Sequence, residues 1–215
     1  MTKDPPVSAS ARPGWITPAR LDRFEQVAIV VLWALLVWRV YHSGNPLAPL
    51  LLVAETTVVI FVLIRRPTEA ISLRLSDWLL AIIASIAPLL VEIVDTPPAL
   101  KFLAVPAVLL FLVGNIVQVT GKLFLRRSFG IAPANRGIKT NGLYRVVRHP
   151  IYAGYALVHL GSIMVIPSLV NFAIYAVGWT AQIMRLLAEE RLLSEDPAYR
   201  EFMTKTRWRL IPGVF

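Results

Sequence analysis

The residues best suited to chemistry in this 215-residue chain include a group of cations directly before an apolar segment. Arg145, Arg148 and His149 precede Pro150, and proline is favoured in the first turn of a helix, where its missing N–H needs no partner. The free N–H groups and partial positive charge of that helix end add to the cationic side chains. This junction is therefore suited to bind a carboxylate or a phosphate.

Two adjacent acids, Glu189 and Glu190, form the second group suited to chemistry. The spacing i, i+4, i+7 and i+11 places Gly178, Gln182, Arg185 and Glu189 on one face of a helix. Arg185 could also pair with Glu189 four residues later. Because this stripe becomes more polar towards its C-terminal end, the pattern favours a functional role for the acids over a purely structural ion pair.

Three further polar residues, Asn115, Gln118 and Lys122, share one face of an earlier apolar segment through the spacing i, i+3 and i+7. One interpretation is an interhelical hydrogen-bonding stripe, with Lys122 extending to the cytosolic surface. The other is the wall of a pocket. A lone histidine in an apolar segment, His159, is interpreted as a hydrogen-bonded packing residue.

The elements that must position these groups are apolar helices. With 56% hydrophobic and 16% charged residues, the chain is too apolar for a soluble domain, in which about a quarter of residues are charged. We predict an all-α integral membrane protein of five to six transmembrane helices, ending in a helical hairpin with a cytosolic binding loop and tail. The apolar segments are 24–41, 47–64, 78–94, 99–125, 150–165 and 171–188.

The positions of the basic residues predict the orientation of these helices. Twenty of the 22 Lys and Arg residues lie in the tail, the second connector, residues 122–149 and the stretch from Arg185 onward; Arg39 and Lys101 are the exceptions. We therefore expect a bacterial cytoplasmic membrane protein with both termini and the site in the cytosol. The net charge of +9 is explained by this topology, and no nucleic-acid partner is predicted.

The predicted organisation has three parts. Residues 1–23 form a cytosolic tail, residues 24–125 hold the first four transmembrane helices, and residues 126–215 form the catalytic region, with the hairpin at 150–188. The chain has no cysteine, which excludes disulfides, thiolate catalysis and cysteine-ligated metals. Its three histidines are scattered, so we predict no metal site.

The C-terminal motifs resemble a known family. The pattern Arg-His-Pro-x-Tyr-x-Gly at 148–154 follows Thr-Asn-Gly-Leu-Tyr-Arg at 140–145, and the acid pair comes some 35 residues later. The chain closes on Tyr-x-x-Phe at 199–202 and Arg-Leu-Ile-Pro at 209–212. Over roughly residues 120–215 this combination resembles isoprenylcysteine carboxyl methyltransferases and the related phospholipid N-methyltransferases.

The resemblance implies an S-adenosylmethionine-dependent enzyme whose lipophilic acceptor enters laterally from the bilayer. It implies that Arg148, Glu189 and Glu190 are catalytic. The cofactor-binding residues that it implies are Tyr144, Arg145, His149, Pro150, Tyr152, Gly154 and Glu189. One departure is Arg136, because members of the family often have a histidine at that place.

Several alternatives remain open at this point. The acceptor is an isoprenylcysteine-like carboxylate, a phospholipid amine, another lipid or an apolar thiol; an ammonium acceptor would need Glu190 or a tyrosine as a base, whereas a carboxylate needs none. A different enzyme class is a sterol-reductase-like membrane enzyme, in which Arg136 would bind the 2′-phosphate of NADPH. A third possibility is a non-enzymatic membrane scaffold or carrier.

Overall fold

The fold consists of helices joined by short turns and one long loop. The computed structural model describes residues 17–42, 49–92, 94 and 96–215. Within these residues no β-strand forms beyond one isolated bridge between Ile71 and Ala134, which confirms the all-α prediction. The helices are α1 (Pro18–His42), α2 (Pro49–Leu63), α3 (Leu75–Ile86), α4 (Ala104–Leu125), α5 (Pro150–Val165), α6 (Leu169–Leu193) and α7 (Pro197–Lys205).

The six predicted apolar segments coincide with α1 to α6. Helix α1 begins at Pro18, which is earlier than the predicted end of the tail at residue 23. The segment around Pro88 leaves α-helical geometry, since α3 ends at Ile86 and continues as the 3-10 turn Ala87–Leu90. The connector between the first two helices, residues 43–48, lies outside the described residues.

Two stretches of the described chain, Pro18–His42 and Pro98–Ser128, are long and apolar enough to cross a membrane by length and composition. Their large apolar side chains mostly face outward: Val27 is 64% exposed and Val105 is 70% exposed. Water would oppose that arrangement, whereas lipid chains favour it. The chain is therefore a membrane protein. The number of spans remains a prediction, because the other helices are shorter or less apolar.

Helices α4 and α5 pack backbone against backbone through glycines. A Cβ atom at Gly154 would lie 2.7 Å from the carbonyl oxygen of Gly114, and one at Gly161 would lie 2.7 Å from that of Ala107. Small residues at such contacts allow membrane helices to approach closely. This contact fixes the start of α5, and with it the residues that precede Pro150.

Backbone hydrogen bonds hold the long loop and the C-terminal segment in place. Ser72 N donates to Pro133 O at 2.9 Å, which fastens the α2–α3 connector to the loop. At the other end, Arg148 N donates to Trp208 O at 2.8 Å and His149 N donates to Arg209 O at 2.9 Å. The C-terminal segment therefore lies directly beside the residues that precede α5.

Candidate active site

The most highly charged contact in this region is centred on Glu190, near the C-terminal end of α6. Its Oε1 lies 2.7 Å from Nε of Arg148 and 3.1 Å from Nε2 of His149, and its Oε2 lies 2.8 Å from Nε of Arg209. Glu190, Arg148 and His149 are all buried. One carboxylate thus joins α6, the start of α5 and the C-terminal segment.

These neighbours keep Glu190 ionised. Burial alone would raise its pKa, but the hydrogen bond and charge of His149, together with Arg209 and Arg148, lower the pKa of Glu190 from 4.5 to about 2. At neutral pH the group is a carboxylate that is engaged in ion pairs. A carboxylate with so low a pKa is a poor general base.

The guanidinium of Arg148 is also engaged within the protein. Besides the bond to Glu190, its Nη1 donates to the carbonyl oxygens of Thr206 and Arg207 at 3.3 and 3.1 Å. Thr206 in turn donates from Oγ1 to Tyr144 O at 3.2 Å. Arg148 therefore cross-links the segment after α7 to the start of α5.

Glu189 has different surroundings from its neighbour. The hydroxyl of Tyr152 donates to its Oε2 at 2.9 Å. Arg185 does not form the ion pair with Glu189 that its spacing suggested: its Nε donates to Ile131 O at 2.9 Å, and its guanidinium lies 5.4 Å from the centre of the Tyr152 ring. Glu189 thus faces a tyrosine and an open pocket.

That pocket has a cavity volume of about 80 Å³ and lies between the long loop, α5, α6 and α7. Among the predicted site residues, it is lined by Tyr144, Arg148, His149, Tyr152 and Glu189. The other predicted residues lie outside its lining: Arg145 is exposed, Pro150 is buried at the start of α5, Gly154 contacts α4, and Glu190 contacts Arg148 and His149 from behind.

The lining of this pocket has the chemistry that a nucleotide-like cofactor needs. Arg185 can supply positive charge for a carboxylate, with Arg148 and His149 beside it in the lining, while Glu189 can accept from hydroxyl groups or face a positive charge. The hydroxyl of Tyr199 is buried and has no hydrogen-bond partner within the described part of the protein. A buried polar atom without a partner is costly, so this hydroxyl is available to a ligand. These side chains match the chemistry of the carboxylate, hydroxyl and positively charged groups of S-adenosylmethionine.

A second, larger cavity of about 320 Å³ adjoins the first and is lined by residues of α1 to α6. Tyr155 and Arg185 line both cavities. The polar residues of its wall include Asn115, Gln118, His159 and Gln182. Asn115 and Gln118 thus line a cavity, as the pocket-wall interpretation expects, whereas Lys122 does not.

Two other polar residues of the helices are engaged internally. Lys122 is fully buried, with Nζ 5.6 Å from the centre of the Tyr155 ring, so its predicted extension to the cytosolic surface is wrong. His159 accepts a hydrogen bond at Nδ1 from the indole of Trp179 at 3.2 Å, which agrees with its interpretation as a hydrogen-bonded packing residue. No group of three His, Cys, Asp or Glu residues suited to a metal ion occurs among the described residues.

Three arginines of this region were not among the predicted catalytic or cofactor-binding residues: Arg136, Arg185 and Arg209. Arg209 belongs to the closing Arg-Leu-Ile-Pro motif, and that motif was the signal that could have assigned it. Arg136 lines the pocket, but its Nη2 lies 2.5 Å from Oδ1 of Asp22 in α1. Burial lowers the pKa of Arg136, and the charge of Arg65 lowers it further, while Asp22 and Glu25 counteract the shift.

Comparisons with known proteins give one family match. Residues 103–199, from the turn before α4 to the start of α7, match the model of the phospholipid methyltransferase family. Comparison with curated proteins gives no match. Among solved structures, the eukaryotic intramembrane Ras methyltransferase, isoprenylcysteine carboxyl methyltransferase, is similar with a TM-score of 0.49 and 16% identity, over 92% of this chain and 83% of that one. The family match confirms the resemblance that the motifs predicted and supports a membrane methyltransferase.

Proposed function

We propose, from the match of residues 103–199 to the phospholipid methyltransferase family, that this chain is an S-adenosylmethionine-dependent enzyme that methylates a lipophilic acceptor at the cytosolic face of the membrane. The observation that carries the proposal is the convergence of two distant motifs on one pocket. Tyr152 and His149 come from the start of α5, and Glu189 and Glu190 from the end of α6, and the two pairs of residues are in direct contact.

S-adenosylmethionine, when bound, would supply a methyl group on a positively charged sulfur. Glu189 faces the pocket and is suited to bind ribose hydroxyls or to favour that positive charge. Arg185 and His149 are suited to bind the carboxylate of the cofactor. Arg148 and Glu190 act mainly as positioning residues, because their polar atoms contact each other and the C-terminal segment.

The larger cavity is the proposed seat of the methyl acceptor. Its lining from α1 to α3 is mostly apolar, with Arg39, Glu55 and Ser85 as the polar residues, and it adjoins the cofactor pocket at Tyr155 and Arg185. An acceptor that enters from the bilayer would reach the cofactor without passing through water, and exclusion of water favours the alignment of the two reactants. We therefore propose a lipid-like acceptor with its reacting group beside these two residues.

The contacts of Arg136 weaken the reductase alternative. Recognition of the 2′-phosphate of NADPH would need a free cation at this place, but Arg136 is buried and paired with Asp22. If Arg136 left this pair to bind a phosphate, the buried Asp22 carboxylate would keep only Arg65 as a partner. The loss of one partner from a buried ion pair is unfavourable. The contacts of Arg136 thus favour the methyltransferase.

Binding and transfer experiments test the proposal together. The detergent-purified protein should bind S-adenosylmethionine or its demethylated product with micromolar-range affinity in calorimetry, and NADPH should not bind. Labelled methyl should pass to a component of a total membrane extract, and identification of that product would name the acceptor. If neither S-adenosylmethionine nor its demethylated product binds, the proposal is contradicted. If the cofactor binds but no methyl group is transferred to any component of the extract, the non-enzymatic alternative is favoured.

A matched pair of variants makes the test specific. Glu189→Gln removes the acid that faces the pocket, and Glu195→Gln removes an exposed acid just beyond the same helix. We expect the first to weaken cofactor binding by about tenfold, as for the loss of one charged hydrogen-bond acceptor, and the second to leave it unchanged. Equal affinity in both variants would contradict the role of Glu189.

A further inference from the structure

We infer that a buried group of four charged residues from α1, the end of α2 and the long loop positions one wall of the cofactor pocket, so that helices outside the family-matched region set cofactor affinity. The four residues are Asp22 and Glu25 of α1, Arg65 after α2, and Arg136 of the loop. We call them the four-charge cluster. This inference rests on the proposed function.

The contacts within the four-charge cluster are short and complementary. Arg65 lies 2.8 Å from Oδ1 of Asp22 through Nη2 and 2.7 Å from Oε1 of Glu25 through Nη1. Arg136 lies 2.5 Å from the same oxygen of Asp22. All four residues are buried, and the two acids balance the two cations. A buried group of this kind contributes little to stability compared with apolar packing, and in some proteins it serves to define one geometry.

Glu25 also holds the backbone of the loop directly. Its Oε1 accepts hydrogen bonds from the N–H groups of Ile131, at 2.5 Å, and Ala132, at 3.3 Å. The carbonyl oxygen of Ile131 accepts the bond from Nε of Arg185. The peptide groups around Ile131 are therefore fixed on both sides, by α1 on one side and by the arginine that lines both cavities on the other.

The loop segment held in this way is a wall of the candidate pocket. Gly130, Ala132, Ala134 and Arg136 all line it, and the hydrogen bond of Ile131 to Arg185 connects this wall to α6. If Glu25 releases the two N–H groups, the wall and Arg185 both lose a support. The cofactor must then order this segment as it binds, and the cost of that ordering appears as weaker affinity.

The first experiment measures cofactor affinity in the full-length protein. Glu25→Ala removes the acceptor of both N–H groups, and we expect the Kd for the demethylated cofactor product, measured by calorimetry, to rise about tenfold. Glu25→Gln keeps an oxygen at this place, so its Kd should lie between those of wild type and Glu25→Ala.

A control variant separates this role from general packing of the same helices. Trp33 in α1, eight residues after Glu25, donates to Oγ1 of Thr56 in α2 at 3.0 Å. Thr56→Val removes that bond and should leave the cofactor Kd at the wild-type value. If Thr56→Val raises the cofactor Kd as much as the Glu25 variants do, the four-charge cluster has only a structural role and the inference is overturned.

Hydrogen exchange gives a measurement that does not depend on activity. In the wild type, the cofactor should add little protection to backbone amides of residues 128–137, because Glu25 already holds them. In Glu25→Gln, cofactor-free protection should fall and cofactor-dependent protection should rise. Unchanged exchange together with an unchanged Kd in Glu25→Gln would overturn the inference, even if Glu25→Ala fails to fold. Failure of the wild type to bind the cofactor would instead contradict the proposed function.

Discussion

Glu189 and Glu190 are adjacent in sequence but have different tasks, which substitution can separate. Glu190→Gln removes the charge that balances Arg148, so the buried cation loses its partner. We expect the free energy of unfolding to fall by about 3 kcal/mol, as when one member of a buried pair is removed. Glu189→Gln should leave stability nearly unchanged. Thermal denaturation in detergent measures both, and equal stability of the two variants would contradict this division.

The low pKa of Glu190 predicts how stability depends on pH. A carboxyl whose folded-state pKa is about 2, against 4.5 when unperturbed, stabilises the fold above pH 4.5, and this contribution is lost as the pH falls from 4.5 towards 2. The loss amounts to about 3 kcal/mol if the shift is complete. Melting temperatures at pH 6 and pH 3 should therefore differ more in wild type than in Glu190→Gln. An equal pH dependence in both proteins would show that other groups dominate.

At this residue scale, the motifs indicated five residues of the pocket lining but not its supports. Tyr152 and Glu189 are in contact because the first turn of α5 lies beside the last turns of α6. Glu25 could not be assigned from sequence, since its partners Ile131 and Ala132 are more than 100 residues away. Arg145 failed as a pocket residue because the 3-10 turn Gly142–Arg145 directs it outward.

At the scale of elements, hydropathy predicted where the helices lie but not which faces meet. The start of α1 was placed too late because its first turns carry Arg20, Asp22 and Arg23, which resemble a polar tail until the buried partners of Asp22 are known. Gly154 was assigned to the cofactor because a small residue allows any close neighbour, whether ligand or helix. In the structure, that neighbour is α4.

The packing of α4 against α5 predicts the effect of adding one methyl group. Gly154→Ala would bring a Cβ atom to 2.7 Å from both Gly114 O and Cγ of Gln118, so the two helices must separate. We expect a loss of about 1–3 kcal/mol in the free energy of unfolding. Ala173→Val is the control, because it enlarges an exposed small residue of α6. If Gly154→Ala has the same free energy of unfolding as the wild type, α4 and α5 are packed less closely than these distances indicate.

At the scale of the whole molecule, the distribution of charge predicts the orientation in the membrane. Arg66 and Glu201 lie in regions assigned to the cytosol, whereas Lys101 is one of the two cations assigned to the opposite side. All three side chains are exposed. The chain contains no cysteine, so one cysteine introduced at each position in turn reports its own location without a background signal from the protein.

We expect a membrane-impermeant maleimide to label intact cells that express Lys101→Cys, but not cells that express Arg66→Cys or Glu201→Cys. Cytosolic loops are enriched in Lys and Arg, which assigns Arg66 and Glu201 to the cytosol. Because both positions are on the same side of the membrane, an even number of spans must lie between them. Permeabilised cells should label all three variants, which controls for reactivity of the thiol. Labelling of Glu201→Cys in intact cells would place α7 and the candidate pocket on the outer side, away from a cytosolic cofactor, and would contradict both the orientation and the proposed function.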